Sequence, residues 1–338
     1  MKDLVTLIAP CYNGEKYIER FLKSVLAQTY KNIQFILVND GSTDNTERII
    51  NSYKNDLEAN FTEFIYIKQD NNGAASAVCN ALKYVKGEYL AWADVDDILH
   101  EDNILLKVNY LKDHPTDGMV LCAAQSIDEN TNTLIRPYSY DENNKQRYIF
   151  DKLIFGGILC FSGVFMIRTE LLFRRLKNKE IYWEKEVGQN WQLLLPVAYD
   201  NSCGYIDDIL YDYYVRSDSH SHNVDYDRTI KRTYAQERVL KKILEFVEDN
   251  ERQDLFKKIE QKYVLQRINL CIAEGRFEEY GMYYKELKNM GRDINLSCKE
   301  RLRYSIMGNK ITRKVYNALA KCRRIVNRRY FLLAERED

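Results

Sequence analysis

The sequence predicts an α/β fold, with a mostly parallel central sheet flanked by helices and an α-helical region C-terminal to it. Three observations carry this expectation. Four short apolar runs alternate with segments of helical spacing over about the first 100 residues. Each run stops at a cluster of polar residues or glycine. From about Asp225 onward proline is absent and glycine rare, while the apolar spacing stays helical.

The elements follow in order. Leu4–Ala9 is a buried strand ended by Pro10, and Glu15–Gln28 has apolar residues at helical spacing. Ile33–Val38 is the second strand. It stops at Asn39-Asp40-Gly41, and Ser42-Thr43-Asp44 opens a helix through Ile50. Phe64–Ile67, helical Ala74–Val85 closed by Gly87, and the strand Tyr89–Trp92 complete the series. Short apolar strands joined by helices imply a sheet covered on both faces. Ligands then bind at the C-terminal strand ends. These ends carry Tyr12-Asn13, Asn39-Asp40, Asn71-Asn72 and Asp94-Val95-Asp96-Asp97, which should meet at one edge. Further on, Thr229–Glu248, Glu251–Glu274 and Phe277–Asn289 read as helices. The expected division is a sheet domain over 1–225 and a helical region over 226–338.

Composition sets the outer bounds. The 338 residues can form a large core without disulfide staples. Hydrophobic residues at 45% and charged residues at 30% describe a soluble globular chain. Lys plus Arg and Asp plus Glu balance at 50 each, so net charge points to no nucleic-acid partner. None of the eight cysteines forms a CxxC pair, which speaks against structural zinc and for reduced thiols in the cytoplasm. The N-terminal apolar run is too short for a signal peptide, and Leu153–Ile167 is too short and glycine-broken to span a bilayer.

The chemistry concentrates at Asp94-Val95-Asp96-Asp97. Three carboxylates in four residues repel one another, and Mg²⁺ or Mn²⁺ relieves that repulsion with one or two carboxylates plus substrate phosphates. The competing reading is a solvated acidic turn that caps the next helix. Asn39-Asp40-Gly41-Ser42-Thr43-Asp44 either offers Asp40 to a base or ribose or is a strand-to-helix turn. A nucleotidyltransferase would need a Gly-rich, basic phosphate loop after the first strand; Cys11-Tyr12-Asn13-Gly14-Glu15 stands there instead.

As an ordered set, these residues resemble glycosyltransferase family 2, whose nucleotide-sugar-binding fold is called GT-A. The matching pieces are Ala9-Pro10-Cys11-Tyr12-Asn13-Gly14-Glu15, Ser24, Gln28, Val38 through Asp44, Asn72-Gly73, Gly87-Glu88-Tyr89 and Asp94 through Asp97. Weaker resemblance runs to about Ser221, through Gly188-Gln189-Asn190-Trp191 and Tyr213-Tyr214-Val215-Arg216. The resemblance implies transfer of a hexose or N-acetylhexosamine from a UDP-sugar to a glycan hydroxyl, with inversion. A lipid-linked or protein-linked acceptor in bacterial surface polysaccharide synthesis would follow. It places Tyr12 and Asn13 at uracil and ribose, Asp40 at the base and Asp94 at the ribose or the metal. Asp96 would hold Mn²⁺ or Mg²⁺, and Asp97 would stand beside the donor sugar or support the site from behind. Pro10, Glu15, Asn72, Gly73 and Val95 would complete the nucleotide pocket, with Arg216 at the diphosphate.

Two departures from the family pattern stand out. Val78-Cys79 replace an expected Arg-Asn. Gln189-Asn190 replace the Glu-Asp pair that supplies the catalytic base, and an amide cannot accept a proton at neutral pH. A subgroup of the family shares this Gly-Gln-Asn-Trp motif. Asp97, Glu184 or Glu186 are the carboxylates that could substitute. The alternative is a non-catalytic sugar-nucleotide binder or regulatory subunit. His220 and His222 are candidates for the metal or diphosphate, since imidazole is an acceptable Mn²⁺ ligand. Between Lys299 and Arg329 there are 11 basic residues and one acidic, a net +10 with apolar residues interleaved. This tail reads either as an amphipathic element for an anionic membrane surface, at the inner face of the cell membrane, or as the solvated face of a packed helix.

Overall fold

A computed structural model describes residues 1–140, 145–158, 160–216 and 225–291, together with Tyr304, Ile306 and Met307. The chain divides into two compact units, one of residues 1–224 with 235–254 and one of 225–234 with 255–338.

The first unit is built on a nine-stranded sheet. Its parallel half uses β1 (Val5–Cys11), β2 (Ile33–Asn39), β3 (Glu63–Lys68) and β4 (Tyr89–Trp92) in the order β3-β2-β1-β4. The crossovers are α1 (Ile18–Leu26), α2 (Thr46–Asn60) and α3 (Ala74–Leu82). Every residue of β1 and β2 is buried, as strands covered on both faces require. Phe35 of β2 centres the packing, with ring centroids 6.4, 6.2 and 5.6 Å from Phe21, Phe61 and Phe64.

Beyond β4 the sheet turns antiparallel. The remaining elements are β5 (Ile98–Leu99), α4 (Asn103–Asp113), β6 (Asp117–Asp128), β7 (Leu134–Tyr138), α5 (Phe150–Phe155), β8 (Phe165–Arg168), α6 (Thr169–Phe173), α7 (Asn190–Ala198) and β9 (Ser202–Val215). The order continues β4-β8-β6-β9-β5, with β7 also paired to β6. β8 runs antiparallel to β4 and β6, while β9 runs parallel to β6. The result is a mixed sheet flanked by helices.

Three boundaries differ from expectation, each for a tertiary reason. β1 runs on through Pro10 to Cys11. β4 pairs with β1 only as far as Ile8, so past that point one neighbour alone makes ladder bonds to a residue that lacks an N–H. α1 starts at Ile18 instead of Glu15 because the Glu15 N–H and carboxylate are taken up by Asp44 and Asn45. α2 starts later, at Thr46, and runs on to Asn60, since Ile50 and Leu57 continue its buried face.

The C-terminal helices are α8 (Tyr226–Ile243), α9 (Asp249–Glu274) and α10 (Phe277–Asn289), close to the expected spans. In the first unit Ala235 and Val239 pack with Val187, Trp191 and Ile243. In the second, Val264, Ile268, Cys271, Tyr280, Tyr283 and Leu287 form a core with Tyr226, Tyr304 and Met307. Among the described residues no helix is long and apolar enough to cross a membrane. Apart from Tyr304, Ile306 and Met307, the basic tail lies outside the described residues.

Candidate active site

The strand ends of β1 and β2 are stitched together by polar side chains. Asn13 sits at φ 47°, a left-handed conformation that Asn tolerates. Its N–H donates to Ser42 Oγ at 3.0 Å, and its Oδ1 accepts the Thr43 N–H at 2.9 Å. Glu15 Oε2 accepts both N–H groups of Asn45 at 3.0 Å. Tyr12 is exposed, and Pro10 is buried in β1.

Asp40 is only 2% exposed. Its carboxylate accepts the N–H groups of Asn72 at 3.0 Å and Gly73 at 2.8 Å, and Gln69 Nε2 at 2.8 Å. These bonds use three of its roughly four acceptor positions. Gly73 is required by geometry: its φ is 93°, and a Cβ there would lie 2.7 Å from the Lys185 carbonyl.

The acidic triplet follows β4, and its three carboxylates face different surroundings. Asp94 is half-buried; Oδ2 accepts Ser162 Oγ at 2.8 Å, and Gln189 Nε2 stands 3.5 Å from Oδ1. Burial first, and then the charge of Asp96, pushes its pKa up to about 6. Asp97 is buried, and it accepts the Tyr211 hydroxyl at 2.5 Å and the Tyr214 N–H at 2.8 Å. Burial, with Asp96 and Asp94 nearby, holds its carboxyl well above the usual range. The Asp96 side chain is 27% exposed and pairs through Oδ2 with Arg216 at 2.6 Å. Its carbonyl accepts Arg20 Nη2 at 2.6 Å. Val95 packs below, within 3.5 Å of where a Cβ on Gly14 would sit.

Gln189 and Asn190, at the start of α7, come to the same place. Gln189 is 3% exposed and donates to Ser162 Oγ at 3.2 Å. Asn190 accepts Trp92 Nε1 at 2.7 Å and donates to the Cys160 carbonyl at 2.6 Å. Glu186 lies exposed on the loop before α7. Glu184 is held by two nitrogens of Arg238, at 2.9 and 2.6 Å. His220 and His222 lie outside the described residues.

Asp94, Asp96, Gln189, Asn190 and Arg216 therefore meet beyond β4, while Asn13 and Glu15 bind the turn after β2 and Asp40 binds the turn of Asn72 and Gly73 after β3. Sequence reading missed Ser162, Trp92, Tyr211 and Arg20. Among the described residues no three His, Cys, Asp or Glu side chains form a metal cage. The donor set is instead one or two carboxylates at a strand end. It suits an octahedral Mg²⁺ or Mn²⁺ that completes its shell with phosphate oxygens and water.

Solved structures share this fold. At 18% identity, a crystal structure of S. aureus TarS 1-349 in complex with UDP-GlcNAc superposes with a TM-score of 0.56, covering 85% of this chain and 89% of that one. Mannosyltransferase PcManGT from Pyrobaculum calidifontis, in complex with GDP-Man and Mn2+, gives 0.53 at 18% identity, covering 94% and 84%. Both share the GT-A-like fold. An uncharacterized glycosyltransferase of Rickettsia typhi is 38% identical over 204 residues, 54% of this chain and 62% of that one. Minor teichoic acid biosynthesis protein GgaB of Bacillus subtilis is 35% identical over 222 residues, 64% of this chain and 23% of that one. The chain thus spans less than two thirds of the curated relatives it matches. Residues 6–176, half of the sequence, match the family model described as Glycosyl transferase family 2. The chain belongs to glycosyl transferase family 2.

Proposed function

We propose that this protein is an inverting glycosyltransferase that moves a hexose or N-acetylhexosamine from a UDP-sugar to a hydroxyl of a glycan acceptor. The observation that carries this reading is the convergence of the half-exposed Asp96, Arg216 and the Asp94–Ser162–Gln189 group beside the β1 and β2 strand ends. The UDP-GlcNAc and the GDP-Man with Mn2+ bound to the two structural neighbours support a nucleotide-sugar donor here.

In this reading Tyr12, Asn13 and the Asp40-braced turn at Asn72 and Gly73 receive the nucleoside, and Pro10, Glu15 and Val95 shape that pocket. Asp96, with Asp94, would hold Mn²⁺ or Mg²⁺, whose charge stabilises a diphosphate leaving group. Arg216 shifts from Asp96 to the diphosphate, where its fork suits phosphate oxygens; His220 and His222 are further candidates there. Gln189 and Asn190 cannot take up a proton. They orient hydroxyl groups near Asp94, an arrangement we assign to a Gly-Gln-Asn-Trp subgroup of the family. Glu186 takes the proton from the attacking hydroxyl, and Asp97, with both oxygens engaged, braces β9. Residues 1–225 form the catalytic domain. Residues 226–338 form the C-terminal region, helical through α10, whose basic tail brings the enzyme to the anionic cytoplasmic leaflet, where a lipid-linked acceptor of surface polysaccharide synthesis is presented.

The amides at 189 and 190 also support a second reading, a sugar-nucleotide binder without catalysis. A screen of UDP-sugars in Mn²⁺, with UDP release measured with and without acceptor glycans, separates the two. Donor binding without release under any condition sinks the transferase reading.

A further inference from the structure

Three aromatic rings stand beside the acidic triplet without a place in the nucleotide half of the site. Phe161 and Tyr213 are stacked, with ring centroids 4.4 Å apart and planes 9° from parallel. Tyr138 meets Phe161 at 5.3 Å and 72°, an edge-to-face contact. All three are half-buried. Tyr138 of β7 pairs with Ala124 of β6, and Tyr213 of β9 pairs with Ser126 of β6. Paired residues share a face, so the two tyrosines flank β6 on one side of the sheet. The small Ala124 and Ser126 between them leave space for the Phe161 ring.

The rings are fastened to the residues that hold the triplet. Phe161 is followed by Ser162, which donates to Asp94, and preceded by Cys160, whose carbonyl accepts Asn190. Tyr213 lies between Tyr211 and Tyr214, the two donors to Asp97. Burial, and then the charges of Asp97, Asp96 and Asp94, raises the pKa of the Tyr213 phenol above its ordinary value. Neither the Tyr138 nor the Tyr213 hydroxyl has a hydrogen-bond partner among the described residues.

We infer that Tyr138, Phe161 and Tyr213 form the seat of the acceptor sugar, with a pyranose laid against the rings and its hydroxyls reaching the two phenols. The inference rests on the glycosyltransferase reading and names where its second substrate binds. A pyranose has an apolar C–H face and a polar rim. The C–H face matches the negative face of an aromatic ring, and the rim matches the phenol hydroxyls. The Arg136 guanidinium lies 4.4 Å from the Tyr138 ring centroid and offsets part of the charge of the nearby carboxylates. A sugar seated here lies beside Asp94 and Asn190, where the leaving diphosphate of the proposed reaction also arrives.

The test is saturation-transfer NMR on the full chain loaded with UDP and Mn²⁺. The probes are methyl α- and β-glycosides of glucose, galactose, mannose and N-acetylglucosamine. At least one glycoside should receive saturation at its ring C–H groups. Its affinity should fall about threefold to tenfold in Tyr138→Ala and in Phe161→Leu, the range set by the loss of one aromatic contact. Tyr138→Phe should keep most of the affinity. Phe161→Leu borders Ser162, so a folding defect there leaves Tyr138→Ala, on the exposed strand β7, to decide. UDP affinity, by calorimetry, should stay within twofold in these variants. The proposal is overturned if no glycoside saturates while UDP binds, or if glycoside binding is unchanged in folded Tyr138→Ala. A variant that weakens UDP-sugars but not UDP assigns the rings to the donor sugar and also overturns it. Failure of the wild type to bind UDP would instead remove the nucleotide-sugar reading itself.

Discussion

Tyr211 donates its hydroxyl to the buried carboxylate of Asp97 at 2.5 Å, across 114 positions of sequence. The same ring fills the space over Gly163, where an added Cβ would fall 1.8 Å from its Cε2. The hydrogen bond and the packing are therefore one arrangement. Removing the hydroxyl with Tyr211→Phe should cost about 1–3 kcal/mol, because it leaves a buried acceptor short of a donor. Overpacking with Gly163→Ala should cost about 1–3 kcal/mol or more. Urea denaturation measures both, and values within experimental error of the wild type would disprove the coupling.

Asp40 is expected to matter twice. Its carboxylate satisfies the N–H groups of Asn72 and Gly73 and the amide of Gln69. Read from the sequence, Asp40→Ala affects nucleotide binding alone, since the residue sits at a strand end. With those three bonds, the same substitution should also lower stability by about 1–3 kcal/mol. UDP affinity should drop by a similar amount. Calorimetric titration beside thermal melting separates the two effects, and a normal melting curve with normal UDP affinity rules out both.

Asp96→Ala should abolish transfer and weaken UDP binding in Mn²⁺, because it removes the half-exposed carboxylate from the triplet. EDTA should have the same effect on the wild type and none on the variant. Full activity of the wild type in EDTA ends the metal assignment.

His100 and Asp212 set a pH signature. His100 Nε2 lies 2.8 Å from Asp212 Oδ1, which also accepts Gln125 Nε2 at 2.8 Å. The bond to Asp212 raises the imidazole pKa from its ordinary 6.5 against the opposing effect of burial. A folded value above the unfolded one means that the pair stabilises fully below about pH 6.5. The contribution then fades as pH rises through the raised folded value. His100→Gln should therefore lose more stability at pH 5.5 than at pH 8.5. Equal losses at the two pH values would show that the pair has no protonation linkage.

The tail between Lys299 and Arg329 carries +10. If it docks on an anionic leaflet, each basic residue near the surface contributes about 1 kcal/mol, screened by salt. Truncation before Lys299 should spare turnover on a soluble acceptor and lose co-sedimentation with anionic vesicles. A tail packed as a structural helix predicts a lower melting temperature instead. Equal co-sedimentation with anionic and neutral vesicles at low salt excludes the membrane role.

By itself the sequence determined what depends on neighbours along the chain. Apolar runs of period two or continuous burial made β1 to β4 legible, and 3.6-residue spacing marked α9 and α10, because both periods are local backbone geometry. The strand ends at Asn13, Asp40 and Asp94–Asp97 were legible for the same reason: each follows an apolar run directly. Tertiary structure decided the rest. Ser162, Tyr211 and Arg216 reach the triplet from 68, 114 and 120 positions away. No local period records such a contact, since it forms only when β8 and β9 close the sheet beside β4. The same closure turned three adjacent aspartates into unlike groups. Asp97 is buried with both oxygens engaged by β9, Asp94 is half-buried and held by Ser162, and Asp96 stays half-exposed and pairs with Arg216. Spacing alone cannot distinguish them, because burial and donors come from the strands that arrive later in the chain.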